Sequence, residues 1–109
     1  LRIPVTLTVQ PPCVAVHDAD FRWEPPTPSA GETISFMGMA EGTAPIAFTW
    51  DWGEGDTEVG SLVTHTYRHA GNYSVVMTAM NCGTVTDTAT HAVRVTEWHL
   101  YLPMILRRP

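Results

Sequence analysis

From Tyr73 to Met80 the chain alternates without a break: Tyr73, Val75, Met77 and Ala79 point one way, and Ser74, Val76, Thr78 and Met80 the other. A period of two places successive side chains on opposite faces of an extended strand, whereas a helix would scatter the same apolar residues around its circumference. A strand with one apolar face needs a second layer against it, so this stretch commits the chain to a sheet-based fold. The neighbouring sequence agrees. Asn81-Cys82-Gly83 has the composition of a hairpin turn, and Thr84 to Thr96 reads as a long return strand ending in Val93 and Val95.

The same period recurs upstream. Ile34, Phe36 and Gly38 alternate with Thr33, Ser35 and Met37, which places Ile34 and Phe36 inward. Ala40 to Pro45 reads as a turn, after which Ile46, Phe48 and Trp50 define the inward face of a strand ending at Gly53, with Ala47, Thr49 and Asp51 outward. Val59 to Tyr67 is expected to be a weaker, bent strand, and His69 to Asn72 to turn the chain again. Near the start, Cys13 to His17 is the expected first strand. Phe21 to Ala30 contains Pro25, Pro26 and Pro28, whose fixed φ and missing N–H groups predict an extended connector ending in Gly31. About seven short strands without any helical period make an all-β chain, a two-sheet β-sandwich.

With 109 residues the chain has room for one such domain. We place it at residues 13–96, after a leader strand or linker from a preceding domain at 1–12 and before an apolar tail with a basic end at 97–109. The chain begins at Leu1 with neither Met nor signal peptide, as expected of a piece cut from a longer precursor. No apolar run reaches the roughly 18 to 20 residues that span a bilayer, and Leu100 to Leu106 is interrupted by Pro103. A net charge of −5, with six arginines and no lysine, argues against nucleic acid, whose binding needs clustered cations.

The densest chemistry lies in Trp50-Asp51-Trp52-Gly53-Glu54-Gly55-Asp56. Asp51, Glu54, Asp56 and Glu58 gather hard oxygen ligands as Ca2+ requires, but they do not follow the EF-hand pattern. The favoured reading is a turn: Gly53 and Gly55 supply positive φ and the acids cap backbone N–H groups or stay solvated. A Ca2+ site at Asp51, Glu54 and Asp56 is the lesser alternative, and no cofactor is otherwise expected. Gly53-Glu54-Gly55 lacks the third glycine and helix start of a dinucleotide loop.

His65 and His69 have a zinc spacing only on a helix; here they fall on different faces or elements. Gly-x-Ser-x-Gly and HExxH are both missing, so no enzyme is expected. Trp50 reads as a core anchor. Trp23 and Trp98 lie outside the strong alternations and are the candidates for surface binding, weighed against packing beneath a loop or tail. Asn72-Tyr73-Ser74 is a formal glycosylation sequon that reads more simply as a strand-opening turn. Cys13 and Cys82 form no C-x-x-C pair, leaving a disulfide or two free thiols.

Trp50-Asp51-Trp52-Gly53-Glu54-Gly55-Asp56, His65-Thr66-Tyr67 and Gly71-Asn72-Tyr73-Ser74-Val75 together resemble the PKD (polycystic kidney disease) domain family, over roughly Cys13 to Thr96. In that family a WDFGDG segment precedes an HxY and then a GxYxVxL strand. Trp52, Glu54 and Met77 stand where the family usually has Phe, Asp and Leu.

The resemblance implies an immunoglobulin-like sandwich and a non-catalytic, monomeric module of extracellular, secreted or cell-surface proteins. Its partners would be other domains of the same chain and extracellular protein or polysaccharide. It implies a disulfide between Cys13 and Cys82, as in bacterial members, and a structural role for His65 and Tyr67 in fixing the loop after the acidic turn. A hydrogen bond from the His65 ring is expected.

Overall fold

The computed structural model describes residues 12–97. The expected leader strand at Leu1 to Val9 and the tail from Trp98 onward lie outside the described residues.

Seven antiparallel strands form two sheets. β1 (His17–Glu24), β2 (Thr33–Glu41) and β5 (Leu62–Thr66) make the smaller, in the order β1-β2-β5. β3 (Ala47–Asp51), β4 (Thr57–Val59), β6 (Gly71–Met80) and β7 (Asp87–Val95) make the larger, in the order β4-β3-β6-β7. The alternation of Tyr73 to Met80 decides the interior. Val75, Met77 and Ala79 of β6 are fully buried, facing Ile34 and Phe36 of β2, with Phe48 and Trp50 beside them on β3. Gly38 sits where this packing is tightest: a Cβ there would meet Met77 Sδ at 2.6 Å and Phe48 Cδ1 at 3.1 Å, so glycine lets the sheets close on the tryptophan.

Several boundaries differ from those expected. The first strand is His17–Glu24, not Cys13 to His17, and it runs through Phe21–Glu24, where a connector was expected. Phe21 is buried and Ala19 and Trp23 are half-buried, while Asp20, Arg22 and Glu24 are exposed. This strand edges its sheet and ends one residue before Pro25, so the prolines terminate it rather than forbid it. β2 continues to Glu41, past the expected turn at Ala40. The return strand starts at Asp87 rather than Thr84.

Val59 to Tyr67 is not one bent strand but parts of two, in different sheets. The crossing falls at Gly60-Ser61, where the Gly60 N–H donates to the Phe48 carbonyl of one sheet (3.0 Å). The Gly38 N–H of the other sheet donates to the Ser61 carbonyl (2.8 Å). Gly60 has φ +142°, which a side chain would resist.

Cys13 and Cys82 are joined by a disulfide that ties the segment before β1 to the β6–β7 turn. Around it, Val14 N–H donates to Thr43 Oγ1 (2.8 Å), Thr43 N–H to the Val14 carbonyl (3.0 Å), and the Asn81 amide to both the Val14 and Thr43 carbonyls (2.8 and 2.9 Å). The sulfur bridge, these side-chain bonds and the single Thr43–Val14 backbone bond, rather than a strand ladder, hold residues 13–16.

Candidate functional site

The motif-bearing stretch folds into one aromatic stack at the end of the sandwich. Trp50 and Trp52, two residues apart across the end of β3, lie parallel with ring centres 5.4 Å apart, both fully buried. The Trp50 indole N–H donates to the Gly60 carbonyl (2.7 Å), satisfying the one polar atom a buried tryptophan carries. His65, on β5, stacks on Trp52 at 4.5 Å and 10° and meets Tyr67 edge-on at 4.5 Å. Tyr67 in turn lies face to face with Tyr73 at 3.9 Å.

The polar atoms of the motif are turned onto the fold itself. Gly53 N–H donates to Asp51 Oδ1 (3.0 Å), closing an Asx-type turn, and Trp52 N–H donates to the Asp56 carbonyl (3.3 Å). Gly53 and Gly55 take φ +86° and +101°, and at Gly53 the space is also filled, since a Cβ would lie 2.9 Å from the Ser74 carbonyl oxygen. His65 Nε2 donates to Glu54 Oε2 at 2.7 Å, so the ring bond expected for His65 ends on one of the three residues that depart from the family pattern. The Tyr67 hydroxyl donates to the Trp52 carbonyl (2.7 Å) and the Tyr73 hydroxyl to the His69 carbonyl (2.6 Å). Burial, with the nearby Glu54 carboxylate second, pushes the Tyr67 phenol well above its ordinary pKa.

Asp51 and Glu54 thus spend carboxylate oxygens on Gly53 and His65, while Asp56 is exposed and uses its backbone. Among the described residues, the groups that bring ligand atoms within 4.8 Å of one another lie elsewhere: His17, Asp18 and Glu41, all exposed, where β1 begins and β2 ends. His65 and His69 are separated, one on β5 and one in the turn before β6.

Trp23 is half-buried. It packs on Phe21, Phe36 and His91 with ring centres 5.7, 6.4 and 5.6 Å away, and its indole N–H donates to the Pro26 carbonyl (3.2 Å). With Met37 and Leu62 it lines a recess of about 100 Å³, well below the roughly 300 to 1,000 Å³ of small-molecule sites. Trp98, the other candidate, lies outside the described residues.

The sequence reading missed a clasp between β1 and β7. His91 Nε2 donates to Asp20 Oδ1 (2.6 Å), and Ala19 N–H donates to Asp87 Oδ2 (2.9 Å). The His91 bond, and then the Phe21 N–H, hold the Asp20 carboxyl below the usual carboxylate range. These partners are 68 and 71 residues apart, and neither pair leaves a periodic signal. Asn81 was legible only as a turn former; its amide ties Val14 to Thr43, as described above.

The model of one family, the PKD domain, matches residues 19–95. A microbial collagenase of Vibrio alginolyticus is 36% identical over 67 residues, 58% of this chain but only 8% of the collagenase. Among solved structures, the PKD1 domain of the Vibrio cholerae metalloprotease PrtV superposes with a TM-score of 0.61 at 25% identity, covering 72% of this chain and 94% of that one. A structure of carbohydrate-binding modules from the β-sandwich superfamily superposes with a TM-score of 0.70 at 24% identity, over 80% of this chain and 36% of that one.

Proposed function

This chain belongs to the PKD domain family, and from that premise we propose that it is a non-catalytic extracellular module, a spacer or interaction domain within a larger secreted or surface protein. One observation carries the reading. In the stretch richest in chemically capable side chains, Asp51, Glu54, His65, Tyr67 and Tyr73 each form a hydrogen bond within the fold. A site that acts on a substrate must leave a reacting group within reach of it; here these groups fasten a turn. The disulfide supports an oxidising, extracellular setting. Assaying the purified chain against protein, peptide and polysaccharide substrates tests the proposal: no turnover is expected, and reproducible hydrolysis that copurifies with the chain would overturn it.

A second reading is supported by the relative whose name is microbial collagenase and by the likeness to carbohydrate-binding modules. In it, the chain is an accessory domain that holds an attached hydrolase on insoluble protein or polysaccharide, with Trp23 on the contacting surface. Retention on insoluble collagen, chitin or cellulose, lost in Trp23→Ala, would select this reading; passage through all three would remove it. Calcium at Asp51, Glu54 and Asp56 is tested by melting with Ca2+ and with chelator, since an ion that binds only the native state must raise stability.

A further inference from the structure

We propose that the Cys13–Cys82 disulfide makes this module inextensible under tension, so that a load passed along the chain bypasses β1 to β6 and is carried by β7 alone. The inference deepens the spacer reading and rests on it: a domain that sets a distance between its neighbours must keep that distance when they pull.

The described domain is entered at Pro12-Cys13 and left at Thr96-Glu97. A pull between these points reaches Cys13, crosses the sulfur bridge and continues from Cys82. The bridged residues are 69 apart in sequence, and the loop they close contains all of β1 to β6. That loop lies off the covalent path and cannot be drawn out while the bond holds. What remains between Cys82 and Glu97 is mostly β7, nine residues already extended as a strand. A strand rises about 3.3 Å per residue and a fully extended chain spans at most about 3.6 Å per residue, so straightening β7 further yields almost nothing.

The direction of the load matters too. Cys82 and Glu97 flank opposite ends of β7, so the load runs along its covalent backbone, beside the β6–β7 ladder paired from Ala79↔Asp87 to Gly71↔Val95. The ladder holds that backbone extended and, because β6 lies inside the bridged loop, stays off the load path. The other edge of β7 is held to β1 by the Asp20–His91 and Ala19–Asp87 bonds, and its end by Thr96 N–H donating to the Pro28 carbonyl (2.9 Å) and Ala30 N–H to the Thr96 carbonyl (2.8 Å). At the entry side, the bonds among Val14, Thr43 and Asn81 seat Cys13 beside Cys82. Both cysteines are exposed, so an external thiol can reach the bond.

The test is to pull the full chain between two reference domains in a force-measuring instrument, first oxidised and then with dithiothreitol added under load. The dithiol closes to its own ring disulfide, and its two hydrogens pass to the sulfurs of Cys13 and Cys82. The oxidised chain is expected to lengthen by no more than about 100 Å, most of it the reach of the 24 residues outside 13–97, and reduction to release about 250 Å more, the reach of the 69-residue loop. A Cys82→Ser chain is expected to show that added contour length without reductant, whether or not it folds.

A step of about 250 Å or more from protein whose mass shows the bond intact would overturn the lock. So would equal contour lengths for the oxidised and Cys82→Ser chains. Retention on collagen or polysaccharide would displace the spacer reading without changing these lengths, so the two can fail separately.

Discussion

Tyr67 does two jobs in the motif: its ring closes the stack between His65 and Tyr73, and its hydroxyl satisfies the carbonyl of the buried Trp52. Tyr67→Phe keeps the ring and orphans that carbonyl, which should cost about 1 to 3 kcal/mol in denaturant unfolding at neutral pH. The same substitution alters the alkaline limb. Burial raises the Tyr67 pKa in the folded state, whereas the unfolded phenol ionises near pH ~10. The folded state's preference for the protonated ring is thus fully expressed below about pH 10 and is lost as pH rises toward the folded value, because the unfolded chain ionises first. Stability measured from pH 8 upward should fall more steeply in the natural chain than in Tyr67→Phe. The two glycines of the turn separate in the same way. Gly55→Ala meets only an unfavourable φ in open space, a cost on the order of 1 to 2 kcal/mol. Gly53→Ala adds a Cβ 2.9 Å from the Ser74 carbonyl oxygen and should be clearly the more damaging in melting experiments.

Among the elements, β2, β3 and β6 were readable because each buries one face and exposes the other, which the period-two pattern records directly. β1 carries the same pattern in Ala19, Phe21 and Trp23, but the prolines that follow drew the reading toward a connector, since an edge strand's tolerance for a proline just beyond its end depends on where it sits in the sheet. The β4–β5 crossing has no periodic signature at all: it is fixed by backbone bonds from Gly60 and Ser61 to two different sheets. The family motif likewise pointed to a bond from His65 but not to Glu54 as its partner, eleven residues away across the acidic turn. The β1–β7 clasp gives a prediction at this scale. The Asp20 pKa is lowered in the folded state, first by the His91 bond. Its contribution is therefore present above the unfolded carboxylate value near pH ~3.9 and is lost as pH falls through the lowered folded value. Asp20→Asn should flatten this part of the acid limb in urea midpoints measured between pH 2 and 5. The pair is exposed and screened, so the effect belongs to the range of about 0 to 1 kcal/mol.

At the scale of the whole molecule, two cysteines 69 residues apart gave no pairing by spacing alone; the pairing came from the family likeness, and its physical reason is visible only in three dimensions. Residues 12–16, the described part of the segment before β1, belong to no strand and are brought to the β6–β7 turn by the Val14, Thr43 and Asn81 bonds, which seat one sulfur beside the other. A bond at this place closes nearly the whole domain into a loop, so its main thermodynamic effect falls on the unfolded chain. In the chain-entropy account a 69-residue loop is worth about 4 kcal/mol, a large part of the roughly 5 to 15 kcal/mol that holds a domain folded. Reduction in native buffer followed by a urea titration should lower the midpoint accordingly. It should also raise the slope of stability against urea, because an unfolded chain freed of its crosslink exposes more surface. If the bond served chiefly to pin native contacts around Cys13, the midpoint would fall with the slope unchanged. The slope therefore decides whether the bridge acts on the folded sandwich or on the chain it unfolds to.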